Sequence, residues 1–147
     1  MDKTKIKRAT AAVSLMIAAM PAHGGGKDAV QLKIRDEHAL ILSMRDSAIN
    51  FVRKEELSQT GDAVIDKYVL GVREHEIEDI TSYAAKADRQ VDERFKSKRS
   101  WTGKDAKKLS MMNNDLEDQI HTVDTYANIA VGMIEQEVKP EQPACKI

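Results

Sequence analysis

Residues 104–138, KDAKKLSMMNNDLEDQIHTVDTYANIAVGMIEQEV, decide the fold. Leu109, Leu116, Ile120, Val123, Ala127, Ala130 and Ile134 recur at three- and four-residue steps, with Asn113 filling one position of the series. That spacing is the period of an amphipathic helix with a narrow apolar seam, and such a seam needs a partner helix along its length. Asn113 on that seam can fix helix register at some cost in stability. Met111 and Met112 beside it are adaptable packing residues.

Two segments upstream supply the partners. From Gly61 to Lys96 the series Ile65, Val69, Val72, Ile80, Tyr83 or Ala84, Ala87, Val91 and Phe95 marks a second helix, least apolar at Arg73–Glu76. From Asp28 to Leu57 the series Val30, Ile34, Ile41, Met44, Ala48 and Phe51 marks a first, with Glu37 as its polar intrusion and Asp28 as its expected cap. The connections are short. Ser58-Gln59-Thr60-Gly61-Asp62 offers Thr60 or Ser58 as a cap, and Thr102 followed by Asp105 has the spacing of a capping box with Asp in place of Glu. Short loops between long helices force antiparallel neighbours. The expected fold is all-α, an elongated, coiled-coil-like, antiparallel three-helix bundle of roughly 45 Å with the middle helix longest.

Composition agrees. Charged residues make up 32% and aromatics 4%, so the core must be aliphatic, which suits helical packing better than a sandwich or barrel. Ahead of the helices stands a segment that reads as an address label. Lys3, Lys5, Lys7 and Arg8 form a positive head, Ala11–Met20 an apolar run, and Ala22-His23-Gly24 a small-x-small site after Pro21. This predicts a cleaved signal peptide over 1–24, a bundle domain over 25–138 and a flexible tail over 139–147. The apolar run is about half of the ~20 residues a bilayer demands, and none longer follows, so no transmembrane anchor is expected. Cleavage at residue 24 takes four of the 23 bases and one of the 24 acids, moving the net charge from −1 to −4. An acidic, exported chain has no bias toward nucleic acid.

Cys145 is the only cysteine, so it has no intramolecular partner, and in an oxidising compartment it is a candidate for a disulfide-linked homodimer. A lipid anchor is excluded by position, because Gly25 follows the expected cleavage site.

Chemistry-bearing patterns are sparse. Gly24-Gly25-Gly26-Lys27 fails as a phosphate loop, since the upstream glycine is missing, Asp28 replaces the magnesium-binding hydroxyl, and no strand precedes it. Each expected helix holds one histidine, His38, His75 and His121, and Asp118 lies one turn before His121, which gives a candidate metal set. Against it, the chain has no Glu-x-x-His unit, and these histidines stand among charged residues. Nucleophile-elbow and haem-attachment motifs are absent too, so neither an enzyme nor a resident cofactor is expected.

The second loop is the most distinctive local feature. Arg94, Lys96, Lys98, Arg99, Lys104, Lys107 and Lys108 surround Trp101, opposed only by Glu93 and Asp105. A tryptophan among cations suits an anionic surface or partner, because the ring buries apolar area while the bases neutralise charge; equally, Trp101 can fold over the bundle end as a plug. The sequence therefore leads to an exported, periplasmic or secreted, helical interaction protein with a protein partner in the cell envelope. By architecture, it fits a small subunit, adaptor or inhibitor/immunity-type component of a bacterial envelope, secretion or conjugation assembly. The alternative is a periplasmic metal-binding or metal-sensing bundle.

Overall fold

A computed structural model describes residues 26–57 and 59–138. They form three helices, α1 (Lys27–Lys54), α2 (Ala63–Phe95) and α3 (Gly103–Val138), with no strand among the described residues. The expected leader, Ser58, and the tail with Cys145 lie outside the described residues. None of the described helices is long and apolar enough to cross a membrane.

The helices run antiparallel. α2 packs along both α1 and α3, whereas α1 and α3 make a much smaller contact. The middle helix is therefore the hub, although at 33 residues it is shorter than α3, at 36, contrary to the expectation that it is the longest. At ~1.5 Å per residue, α3 makes the bundle about 50 Å long. Its core is Val30, Ile34, Ile41 and Met44 from α1, Ala84, Ala87, Val91 and Phe95 from α2, and Leu116 from α3. Phe95 is 1% exposed, a burial that contributes roughly 2–3 kcal/mol.

The helix boundaries follow their caps. α2 starts at Ala63, because the Asp62 carboxylate accepts from the backbone N–H of Val64 at 2.9 Å and of Ile65 at 3.4 Å. Thr60 is not the cap; its hydroxyl accepts from the Asp62 N–H and donates to Asp66, bracing the turn one step upstream. Gly61 turns the chain there with φ 83°, a conformation that costs a residue with a Cβ. α1 also departs from expectation. Gly26 is its N-cap, Asp28 sits inside the first turn, and the helix stops at Lys54 as Glu55 becomes extended. At α3 the predicted capping box is present. The Thr102 N–H donates to the Asp105 carboxylate at 3.0 Å, and the Asp105 N–H reaches back to the Thr102 hydroxyl at 3.4 Å.

Candidate functional site

The loop between α2 and α3 closes one end of the bundle. Trp101 is half-buried there, packed against the core with its ring centroid 5.5 Å from that of Phe95 and tilted by 49°. Lys98 forms an ion pair with Asp105, whose side chain is only 3% exposed. That pairing comes first in holding the Asp105 carboxyl below its usual range; burial opposes it, and hydrogen bonds from Thr102 reinforce it. Two members of the predicted partner-binding set are thus tied into the fold. The rest point outward: Arg99, Lys104, Lys107 and Lys108 are exposed, together with Arg94 and Lys96. Among the described residues none of these six engages a carboxylate.

Charge is sorted along the bundle. The half containing this tip, residues 27–40 and 84–116, carries twelve bases and eight acids; the other half, 41–83 and 117–138, carries five bases and fourteen acids. α3 has no base at all between Lys108 and Lys139. The bundle is electrically polarised, with a basic tip and an acidic far end.

The far end holds a groove of about 830 Å³ between α2 and α3. Val64, Tyr68, Gly71, Val72 and His75 contribute from α2, and Thr122, Val123, Tyr126, Ala127 and Ala130 from α3. All three tyrosines of the chain, Tyr68, Tyr83 and Tyr126, line it. Gly71, Ala127 and Ala130 leave room between the two helices there, because they carry little or no side chain. α1 lies on the other side of the α2–α3 contact. Asp88 and Asp92, which hold His38 of α1, project roughly a third of a turn around α2 from Val64, Tyr68, Gly71 and His75. Tyr68, Tyr126 and Met133 are 65%, 69% and 60% exposed, and Val64 and Ile129 are likewise largely open. Together they expose on the order of 500–600 Å² of side chain, at the upper end of what a monomeric protein shows in one patch.

Between groove and core runs a buried polar layer. Glu76 of α2 and Asp124 of α3 face one another, 7% and 8% exposed. Burial pushes the Glu76 carboxyl up to about 8, and the hydrogen bond to Asp124 together with that neighbour's charge adds to it. Glu76 Oε1, Asp124 Oδ1 and the neighbouring Arg73 Nη2 are buried without a hydrogen-bond partner.

The histidines are dispersed. His38 is clamped by Asp88 at 2.7 Å and Asp92 at 2.9 Å. Partial burial disfavours its charge, but those two hydrogen bonds prevail and hold its pKa above the usual value. His75 is exposed, 3.8 Å from both Glu78 and Asp79, and His121 and Asp118 are exposed on α3. Among the described residues no three His, Cys, Asp or Glu side chains gather into a group that could hold a metal ion. The set His38, His75, His121 and Asp118 is not brought together.

Compared with protein-family models, curated proteins and solved structures, the chain finds no match. Sequence reasoning located the basic tip because its residues are contiguous. It missed the groove, whose lining comes from two helices some 55 positions apart; the one available signal was that all three tyrosines fall on the two segments that pair.

Proposed function

We propose that this protein is an exported helical adaptor of a bacterial envelope, secretion or conjugation assembly, holding partners at its two ends. The observation that carries this reading is the separation of its surface into a basic tip and an acidic half that carries the apolar groove, on one three-helix bundle about 50 Å long. Arg99, Lys104, Lys107 and Lys108 supply the tip with exposed charge for an anionic protein surface or headgroup layer. The leader-like segment Lys3–Gly24 supports delivery outside the cytoplasm, where a partner in the cell envelope is met. In that compartment Cys145 can couple two copies through a disulfide, an accessory to adaptor function.

Site-specific photocrosslinking in intact cells tests the adaptor reading. A crosslinker at Lys107 is expected to trap an envelope protein, whereas one at Leu42, on the outer face of α1, is expected to trap none. Equal yields from the two positions, or recovery of a chain still beginning at Met1 from the cytoplasmic fraction, overturn it.

A further inference from the structure

The groove on the acidic end is flanked by two exposed helical stripes. On α3, Asp115, Asp118, Thr122, Tyr126, Ile129, Met133 and Glu137 recur at three- and four-residue steps. They form one stripe, whose apolar middle is bracketed by carboxylates at both ends. On α2 the parallel stripe is Val64, Tyr68, Gly71 and His75, with Asp79 at its inner edge. Lys67 and Lys86 are the bases on that side, so carboxylates outnumber bases around the rim. Two antiparallel helices with a small-residue floor between them form the channel into which a further helix packs, its ridge seated between theirs. From Val64 to Tyr83 the channel is about 30 Å long, the length of a helix of five turns or so.

We infer that this groove docks a basic amphipathic helix from a protein partner: an apolar stripe seated between Tyr68 and Tyr126, with Lys or Arg on its flanks facing Asp79, Asp115, Asp118 and Glu137. Charge complementarity selects this occupant. A second copy seated groove to groove would bring together two ends that each carry fourteen acids against five bases. Like charge at that density opposes such pairing at low salt. A basic helix gains from the same field, and the apolar middle of the stripe supplies the area that leaves water. The inference rests on the adaptor reading by specifying what its acidic end holds.

The probe is a pair of synthetic amphipathic peptides of about 18 residues with the same Leu/Ala stripe, one flanked by Lys and Arg, the other by Glu. The full chain is labelled at its tyrosine rings: Tyr68, Tyr83 and Tyr126 all line the groove, with Tyr68 and Tyr126 as the exposed reporters and Tyr83 packed also against the core. The basic peptide is expected to shift all three ring signals. It should bind at least about tenfold more tightly than the acidic one at low salt, with the difference shrinking as salt rises. Gly71→Trp, at a position where nothing lies within 4 Å of an added Cβ, places a bulky ring in the groove and is expected to abolish the shifts while helix content is unchanged. Equal binding of the two peptides overturns the basic-partner inference while leaving a docking groove at the adaptor's end. Binding that survives Gly71→Trp places the peptide elsewhere and overturns the site. Ring signals that move with protein concentration alone, or on removal of residues 1–24, assign the groove to a second copy or to the chain's own leader and overturn the inference as well. The crosslinks at Lys107 are read independently, so the adaptor reading stands or falls apart from these outcomes.

Discussion

Glu37 of α1 and Asn113 of α3, the polar residues that interrupt the first and third apolar seams, meet inside the bundle, 6% and 7% exposed. Burial drives the Glu37 carboxyl up to about 7, and the Asn113 side chain, donating a hydrogen bond to it, offsets part of that rise. Glu37 Oε1 still lacks a partner. The pair lies where α1 and α3 make their small contact, so it sets the register between two helices that apolar packing joins only weakly. Replacing Asn113→Leu is expected to cost roughly 1–3 kcal/mol at pH 8, because it leaves the buried Glu37 carboxyl without its donor. The double replacement Glu37→Leu with Asn113→Leu should recover that loss and exceed the parent stability. Urea unfolding of the four proteins measures the cycle. A double variant no more stable than Asn113→Leu alone would mean that the pair does not act as a unit.

Stability should fall as pH rises from about 4.5 to 8. Glu37 and Glu76 both have pKa values raised in the fold, to about 7 and about 8, from the ordinary glutamate value of 4.5. A raised value means that the folded state holds its proton after the unfolded chain has released it. The contribution is complete below 4.5 and disappears as pH passes through the folded values. The melting temperature is expected to be several degrees higher at pH 5 than at pH 8. Glu76→Gln keeps a donor to Asp124 and removes one of the two titrations, so it should raise the melting temperature at pH 8 and change it little at pH 5. A parent curve rising from pH 5 to 8 would contradict the buried-carboxyl account.

The fold was legible because three long seams with short, capped connections admit few arrangements, and the Thr102–Asp105 box marked the start of α3 to within a residue. What periodicity could not convey was which polar residues on or beside a seam are buried. Glu37 and Asn113 were visible as intrusions, but their meeting depends on which helices touch. Glu76 and Asp124 carried no signal, since Glu76 stands in a charged stretch and Asp124 follows the apolar seam position Val123, so both read as solvated positions. Lys98 and Trp101 looked like members of a binding patch because composition counts charge without showing pairing; Asp105 and Phe95 claim them. The histidines failed as a set for a related reason: one residue per helix says nothing about height, and Asp88 and Asp92 had already taken His38.

His38 gives a titration of its own. Its pKa is raised by Asp88 and Asp92 against partial burial, so the clamp stabilises the fold fully below the usual histidine value and loses that contribution as pH rises through the folded value. Asp88→Asn is expected to lower the His38 pKa, followed by the imidazole proton resonances, and to narrow the pH range over which the α1–α2 contact is strengthened. An unchanged His38 titration in Asp88→Asn would show that the carboxylate 2.7 Å away does not stabilise the charge.

Lys98→Ala should destabilise the tip by roughly 1–3 kcal/mol, because it strands the Asp105 carboxylate with Thr102 alone. Thr102→Ala removes the other half of the box and is expected to cost about 1 kcal/mol. Chemical denaturation of both single variants and the double reads these losses. The combined loss should depart from the sum, since Lys98 and Thr102 act on the same carboxylate. Strict additivity would indicate that Asp105 does not link them.

Trp101 and the exposed bases around it should separate cleanly under mutation. The ring packs on Phe95 at 5.5 Å, and an aromatic pair of that geometry adds about 0.5–1.5 kcal/mol to the apolar area it covers. Trp101→Ala is therefore expected to cost about 2 kcal/mol and lower the melting temperature. Arg99→Glu, Lys107→Glu and Lys108→Glu change exposed side chains that engage no carboxylate among the described residues, so their effect on melting should stay within about 0.5 kcal/mol each. The three reversals together invert the field of the tip. Retention on an anionic, carboxylate-bearing matrix should drop sharply for the triple variant, and for the parent should weaken as ionic strength rises, since charges more than ~8 Å apart are screened at physiological salt. Trp101→Ala, measured below its melting point, should be retained like the parent. If retention instead follows Trp101 and ignores the bases, the ring and not the charge makes the contact, and the electrostatic account of this end of the bundle is wrong.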